Sequence, residues 1–319
     1  MLRSLPCLTR LAHYVKHPDL PHQHCHDPTP AHHVNHPDLP HQHCHDPTPA
    51  HHVNHPDLLT APDTAGVPRP TARVAGVGAL QPWDARSHTA DGRTFPTYRR
   101  GHGPGVVVIH ESPGLTPEVV AFGNHLVEHG LTVVLPHLFG SAQEPPRRFE
   151  GLVVIPRLCV SRDFALLATG CTTPLAGWLR DLASTLHAEL GGPGVGAVGM
   201  CVTGGFALAM MVDPSVIAPV VAQPAVPVPV GRRRARDLGL SPGDLTRVAD
   251  RAAAGCPVLG VRYSADRSTG KRFTTLRRML GDAFLAVELP GPGHATLTHD
   301  RHPDAVQRVT SFLTERLGA

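Results

Sequence analysis

Apolar residues along this chain gather in short β-branched runs, and longer stretches with helical spacing separate them. Val106 to Ile109 is a continuous apolar run that reads as a strand buried on both faces. A helix is expected from about Pro117 to His129, stopped by Gly130. Leu131 to Leu135 is the next strand, closed by Pro136, and a helix over Leu175 to Leu190 ends at Gly191-Gly192. The pattern then continues: strand Val195 to Val198, helix Phe206 to Val212, strand Ile217 to Ala222, helix Asp244 to Ala254, strand Pro257 to Tyr263, helix Phe273 to Leu280, strand Phe284 to Leu289 and a closing helix Pro303 to Leu317.

Strands alternating with helices of this length predict an α/β fold, a mostly parallel sheet with helices on both faces. In such sheets the chemistry sits beyond the carboxyl ends of the strands. The expected domain spans residues 72–319.

The first 71 residues have no such pattern. Residues 17–35 read HPDLPHQHCHDPTPAHHVN, and residues 36–54 repeat them letter for letter. Frequent prolines and few large apolar side chains predict a disordered extension and linker. His22, His24, Cys25 and His26, copied at His41, His43, Cys44 and His45, have a donor set suited to zinc or copper. Metal binding by this tract is therefore one candidate activity.

Composition narrows the classes. Hydrophobic residues make up 41% and the formal net charge is +3, which fits a soluble protein with a core and gives no basic surface for nucleic acid or acidic lipid. The run Arg232-Arg233-Arg234 reads as a solvated loop. Seven scattered cysteines do not form a disulfide framework, and the N-terminus lacks the apolar core of a signal peptide. A reducing cytoplasm is expected. No apolar stretch is long enough to span a bilayer.

The residues after the strands carry the candidate chemistry. Val195 to Val198 runs into Gly199-Met200-Cys201-Val202-Thr203-Gly204-Gly205 and an apolar helix, the layout of a nucleophile elbow. Cys201 is the candidate nucleophile, and the Val202 N–H a candidate oxyanion donor. One feature departs from the pattern: the glycine expected two positions after the nucleophile is Thr203. Asp266 follows the strand ending at Tyr263, and His294 follows the strand ending at Leu289. Nucleophile, acid and histidine thus come in the order that α/β-hydrolases use. His299 and His302 are rival bases, ranked lower. Glu111 follows Ile109 and falls beside the nucleophile.

Together HESPG (110–114), GMCVTGGFALAM (199–210), RYSADR (262–267) and GPGHATL (291–297) resemble the dienelactone hydrolase family from about residue 75 onward. The resemblance implies that Cys201 attacks an ester or lactone carbonyl, His294 is the base and then the acid, and Asp266 orients the imidazole. It implies that Glu111 contacts the resting thiol and that the Ser112 N–H joins that of Val202 in the oxyanion hole. No metal or organic cofactor is implied. The family's dienelactone-cleaving members hold a substrate carboxylate with arginines. The next arginine after His294 is Arg301, and Arg147, Arg148, Arg157 and Arg162 on a long connection are candidates that the sequence does not place. The expected activity is hydrolysis of a small-molecule carboxylic ester or lactone, with the oligomeric state open. The alternatives are a non-catalytic scaffold of the same fold and metal binding by the repeat.

Overall fold

The computed structural model describes residues 80–140, 142, 154, 164, 169–225 and 231–319. The His-rich extension, its repeat and Arg147, Arg148, Arg157 and Arg162 lie outside them.

Eight strands form one sheet: β1 (Asp84–Ala90), β2 (Arg93–Arg100), β3 (Gly105–Ile109), β4 (Thr132–Pro136), β5 (Val195–Met200), β6 (Val216–Ala222), β7 (Val258–Tyr263) and β8 (Phe284–Leu289). Their order is β1-β2-β4-β3-β5-β6-β7-β8. From β4 to β8 every neighbouring pair is parallel, while β1 and β2 are antiparallel to each other and β2 to β4. The helices are α1 (Pro117–Glu128), α2 (Ala176–Leu190), α3 (Gly204–Met210), α4 (Pro242–Ala253), α5 (Arg272–Leu280) and α6 (Pro303–Leu317). The strands and helices expected from the pattern are present, with ends shifted by one or two residues.

The β1–β2 hairpin was not expected. Its strands are polar (DARSHTA and RTFPTYRR), so the apolar pattern is faint. Its turn, Asp91-Gly92, has positive φ at both residues, 50° and 69°, as a tight two-residue hairpin requires. That dipeptide was the available signal.

Successive strand residues point to opposite faces, so each central strand feeds two cores. Val107, Ile109, Val195 and Ala197 pack with Trp178, Leu179, Leu182 and Leu186 of α2. Val106, Val108, Val198 and Met200 pack with Phe122 and Leu126 of α1 and with Val309, Phe312 and Leu313 of α6. This two-sided burial explains the unbroken apolar runs, and it fixes the strand ends on which the candidate site stands.

Cys171 is disulfide-bonded, whereas Cys201 and Cys256 are free. The scattered spacing did not foretell this bond. No helix among the described residues is long and apolar enough to cross a membrane.

Candidate active site

Four strand ends meet over the sheet. Met200 closes β5 in extended conformation, and Cys201 follows at φ 53° inside a short 3-10 turn, Cys201–Thr203. A non-glycine residue in the left-handed region is uncommon and costs about 1–3 kcal/mol. The neighbourhood enforces it. A Cβ at Gly199 would lie 2.3 Å from the Thr203 carbonyl oxygen, so the chain can double back only over a glycine.

The departure at Thr203 has a structural reason. Its side chain is fully buried. Its hydroxyl accepts the Met200 N–H at 3.0 Å and lies within reach of three carbonyl oxygens: Met200 at 2.8 Å, and Ile109 and His110 both at 3.2 Å. One side chain thus ties the elbow to the end of β3. The close approaches fall one position later. A Cβ at Gly204 would sit 2.9 Å from Pro224 Cα, and one at Gly205 would sit 2.4 Å from the Leu238 carbonyl oxygen. Thr203→Val keeps the shape and removes the hydroxyl. It is expected to lower unfolding free energy by about 1–3 kcal/mol, the cost of stranding buried polar groups. Urea denaturation measures this, and a loss below about 0.5 kcal/mol would remove the hydroxyl's tying role.

Asp266 and His294 come together from β7 and β8. His294 Nδ1 is 2.8 Å from Asp266 Oδ2, and Ser268 fixes the other oxygen, Oδ1, by its N–H at 2.8 Å and its hydroxyl at 2.6 Å. The ionised carboxylate only accepts, so Nδ1 carries a hydrogen and Nε2 is left for the thiol. The ligand atoms of His294 and Cys201 lie within 4.8 Å of one another. Burial pulls the imidazole pKa down. Its interactions with Asp266 and Cys201 outweigh burial and raise it to about 10. For Asp266, burial pushes upward, but the bonds from His294 and Ser268 leave it below the usual carboxylate range.

A raised imidazole pKa stabilises the fold fully below its ordinary value of 6.5, and the benefit is lost as pH rises towards about 10. His294→Gln is therefore expected to lower Tm most near pH 6 and least near pH 10. Melting curves across that range check this, and a gap that widens with pH contradicts the assignment.

Glu111, only 6% exposed, follows β3. Its carboxylate accepts from the Thr298 hydroxyl and, at 3.3 Å, from Gln223 Nε2. Burial raises its pKa, against these two bonds and the nearby positive His294. The ligand atoms of Glu111, Cys201 and His294 all lie within 4.8 Å of one another. Among the described residues this is the one trio of such groups close enough to share a metal ion, and thiolate, imidazole and carboxylate suit zinc. The backbone under Glu111 is braced by His110. Its Nε2 accepts the Leu138 N–H at 3.1 Å, so Nδ1–H donates to the Glu111 carbonyl at 3.0 Å. Complete burial lowers the His110 pKa to about 3, and the ring stays neutral.

Val202 is the middle residue of the 3-10 turn, and Ser112 follows Glu111 directly. The Ser112 hydroxyl is buried with no hydrogen-bond partner among the described residues. The rival bases stand elsewhere. His302 caps α6 by accepting the Asp304 N–H at 3.3 Å, and His299 makes no side-chain hydrogen bond or ion pair among the described residues.

Several residues here were not singled out from the sequence. Gln223, directly after β6 and at φ 35°, links Glu111 to Thr296, whose hydroxyl donates to Gln223 Oε1 at 2.6 Å. Asp300 Oδ2 accepts the N–H groups of His294 at 2.7 Å and Ala295 at 3.2 Å, which closes the loop that presents the base. Arg272, 2% exposed, donates to the carbonyls of Thr269 and Arg234 at 3.1 and 2.7 Å. Burial lowers its pKa to about 10, with Asp237 and Cys201 opposing, so it stays cationic at neutral pH. The rule about strand ends could have found Gln223. No local pattern marks the others.

No protein-family model matches the chain, and no curated protein matches it in sequence. Among solved structures, the α/β-hydrolase GrgF from Penicillium sp. sh18 superposes with a TM-score of 0.53 at 14% identity, over 75% of this chain and 100% of that one. This chain has the α/β-hydrolase fold. A dienelactone hydrolase-like promiscuous phosphotriesterase, P91, from metagenomic libraries superposes with a TM-score of 0.52 at 18% identity, over 74% of this chain and 99% of that one. At these identities the likeness is one of fold. In α/β-hydrolases the nucleophile stands on a sharp turn after a central strand, and here Cys201 occupies that turn after β5, between β3 and β6.

Proposed function

We propose that this chain is a carboxylic ester or lactone hydrolase of the dienelactone hydrolase type, working through Cys201, His294 and Asp266. One observation carries the proposal. Glu111, Cys201 and His294 converge within 4.8 Å, while Asp266 holds the far side of the imidazole at 2.8 Å. A nucleophile, a base within reach and a group that orients the base make up the general arrangement for acyl transfer.

The chemistry runs in two halves. With the proton held on His294 Nε2, Cys201 Sγ attacks the carbonyl carbon. The oxyanion is met by the N–H groups of Val202 and Ser112. As the C–O bond breaks, His294 returns the proton to the leaving oxygen, and the acyl group stays on sulfur. Water then gives a proton to His294 and attacks the thioester carbon. The C–S bond breaks, and the thiol recovers its proton. Each proton moves between Cys201, His294, the leaving group and water, so water is the one reactant besides the substrate. Glu111, held by Thr298 and Gln223, faces the thiol and can take its proton while His294 is occupied.

Aryl esters, enol lactones and thioesters form the test panel. Turnover of at least one class is expected, along with a Cys201-linked acyl adduct, seen by mass spectrometry, whose mass matches the substrate's acyl group. An adduct on another residue, or turnover of a substrate with no acyl group alone, would overturn the proposal.

A further inference from the structure

The run Arg232-Arg233-Arg234 is exposed at Arg232 and Arg233, as a solvated loop is. Its backbone is pinned from below: the carbonyl of Arg234 accepts from buried Arg272, the Lys271 N–H donates to the Ala235 carbonyl at 2.7 Å, and Gly270 lies so close to Ala235 that a Cβ would meet its carbonyl oxygen at 2.8 Å. Arg232, Arg233 and Arg236 then line one side of a cavity of about 500 Å3. Arg278 lines it from α5, where Thr275, one helical turn earlier, presents a hydroxyl on the same face. The segment holds its arginines around a space instead of letting them spread.

The charge in that space is unbalanced. Among the described residues, none of these four arginines makes an ion pair or a side-chain hydrogen bond, although Arg277, next to Arg278, is paired with Glu288. One carboxylate lines the cavity, Asp237, and it is engaged: Oδ2 accepts the Gly170 N–H and Oδ1 the Gly239 N–H, both at 3.1 Å. Four cations gathered in one concavity repel each other and raise the local positive potential. A bound anion relieves that repulsion, and a guanidinium fork fits two oxygens of a phosphate at once. The volume falls in the range of about 300–1,000 Å3 typical of small-molecule sites, more than one lone oxyanion fills.

We propose that this cavity is a binding site for the di- or triphosphate group of a small molecule, with Arg232, Arg233, Arg236 and Arg278 as its ligands. The site stands apart from the triad, and its existence does not depend on the hydrolase proposal. The probe is inorganic tripolyphosphate, titrated calorimetrically into the full chain at pH 8, where the histidines of the extension are largely neutral, in 150 mM salt. Saturable binding is expected. It should weaken at least tenfold in Arg233→Ala/Arg278→Ala and stay within twofold in Arg301→Ala/Arg308→Ala, which removes equal charge from exposed sites elsewhere. All four positions are exposed, so neither variant threatens the core. Absence of binding, binding that survives Arg233→Ala/Arg278→Ala, or equal weakening in both variants would overturn the proposal, the last because it would mean net charge alone attracts the probe.

Discussion

Cys201→Ala is expected to hydrolyse its best ester substrate about 10^3–10^6-fold more slowly than the parent chain, because removal of a nucleophile leaves only binding and oxyanion stabilisation. The size of the effect follows from the site's construction. The His294 pKa is raised to about 10 by partners that include Cys201, and Cys201 sits in left-handed backbone directly after β5. Neither Thr203 nor Glu111 offers a replacement nucleophile. The Thr203 hydroxyl is buried among carbonyls, and Glu111 is held by two donors. Steady-state rates with an activated aryl ester decide the matter. A residual rate within tenfold of the parent would sink the assignment of Cys201. The fold should persist, since only a half-buried sulfur is lost.

Gly199→Ala is the second large effect. The added methyl would meet the Thr203 carbonyl oxygen at 2.3 Å and the Ala207 side chain at 3.2 Å. Backbone of this kind cannot yield cheaply, because the Thr203 hydroxyl already ties the turn to two strand ends. The expected loss is about 3 kcal/mol, the upper end of the range for overpacked cores and enforced backbone strain, with activity falling in parallel. Gly243→Ala is the matched control. It lies within α4 with open space around its Cβ and should change stability by less than about 1 kcal/mol, in the stabilising direction. Urea midpoints of the two variants side by side make the comparison. Similar midpoints would mean that the elbow can relax, and that the close approach at Gly199 does not hold Cys201 in place.

Much of the architecture was visible in the sequence because it rests on local regularities. Val106 to Ile109 and Val195 to Val198 are recognisable as strands since burial on two faces leaves no polar gap. The elbow, Asp266 and His294 are recognisable since parallel sheets put chemistry at predictable strand ends. The polar hairpin β1–β2 was missed because an edge strand need not be apolar on either face. The bracing of the site was hidden for a different reason. Thr298 meets Glu111 across 187 positions and Gln223 meets it across 112. Such partners are chosen by the folded chain's three-dimensional course, which no short window contains. Thr203 shows the same limit from the other side. As a sequence letter it looked like a flaw in the elbow, and only its carbonyl neighbours show what it does.

The segment from His294 to Asp300 has a consequence for how such a site can change. Within seven residues it carries the base, the hydroxyl that holds Glu111 and the carboxylate that clamps the base's own backbone. The two groups that can accept the thiol's proton are therefore not separately adjustable. A shift of this loop that retunes one retunes the other. An inherited insertion or deletion here would alter the pair as a unit, while substitutions in the walls around it would leave the proton chemistry alone. Variation in what the site accepts and variation in how it moves protons are thus assigned to different stretches of the chain.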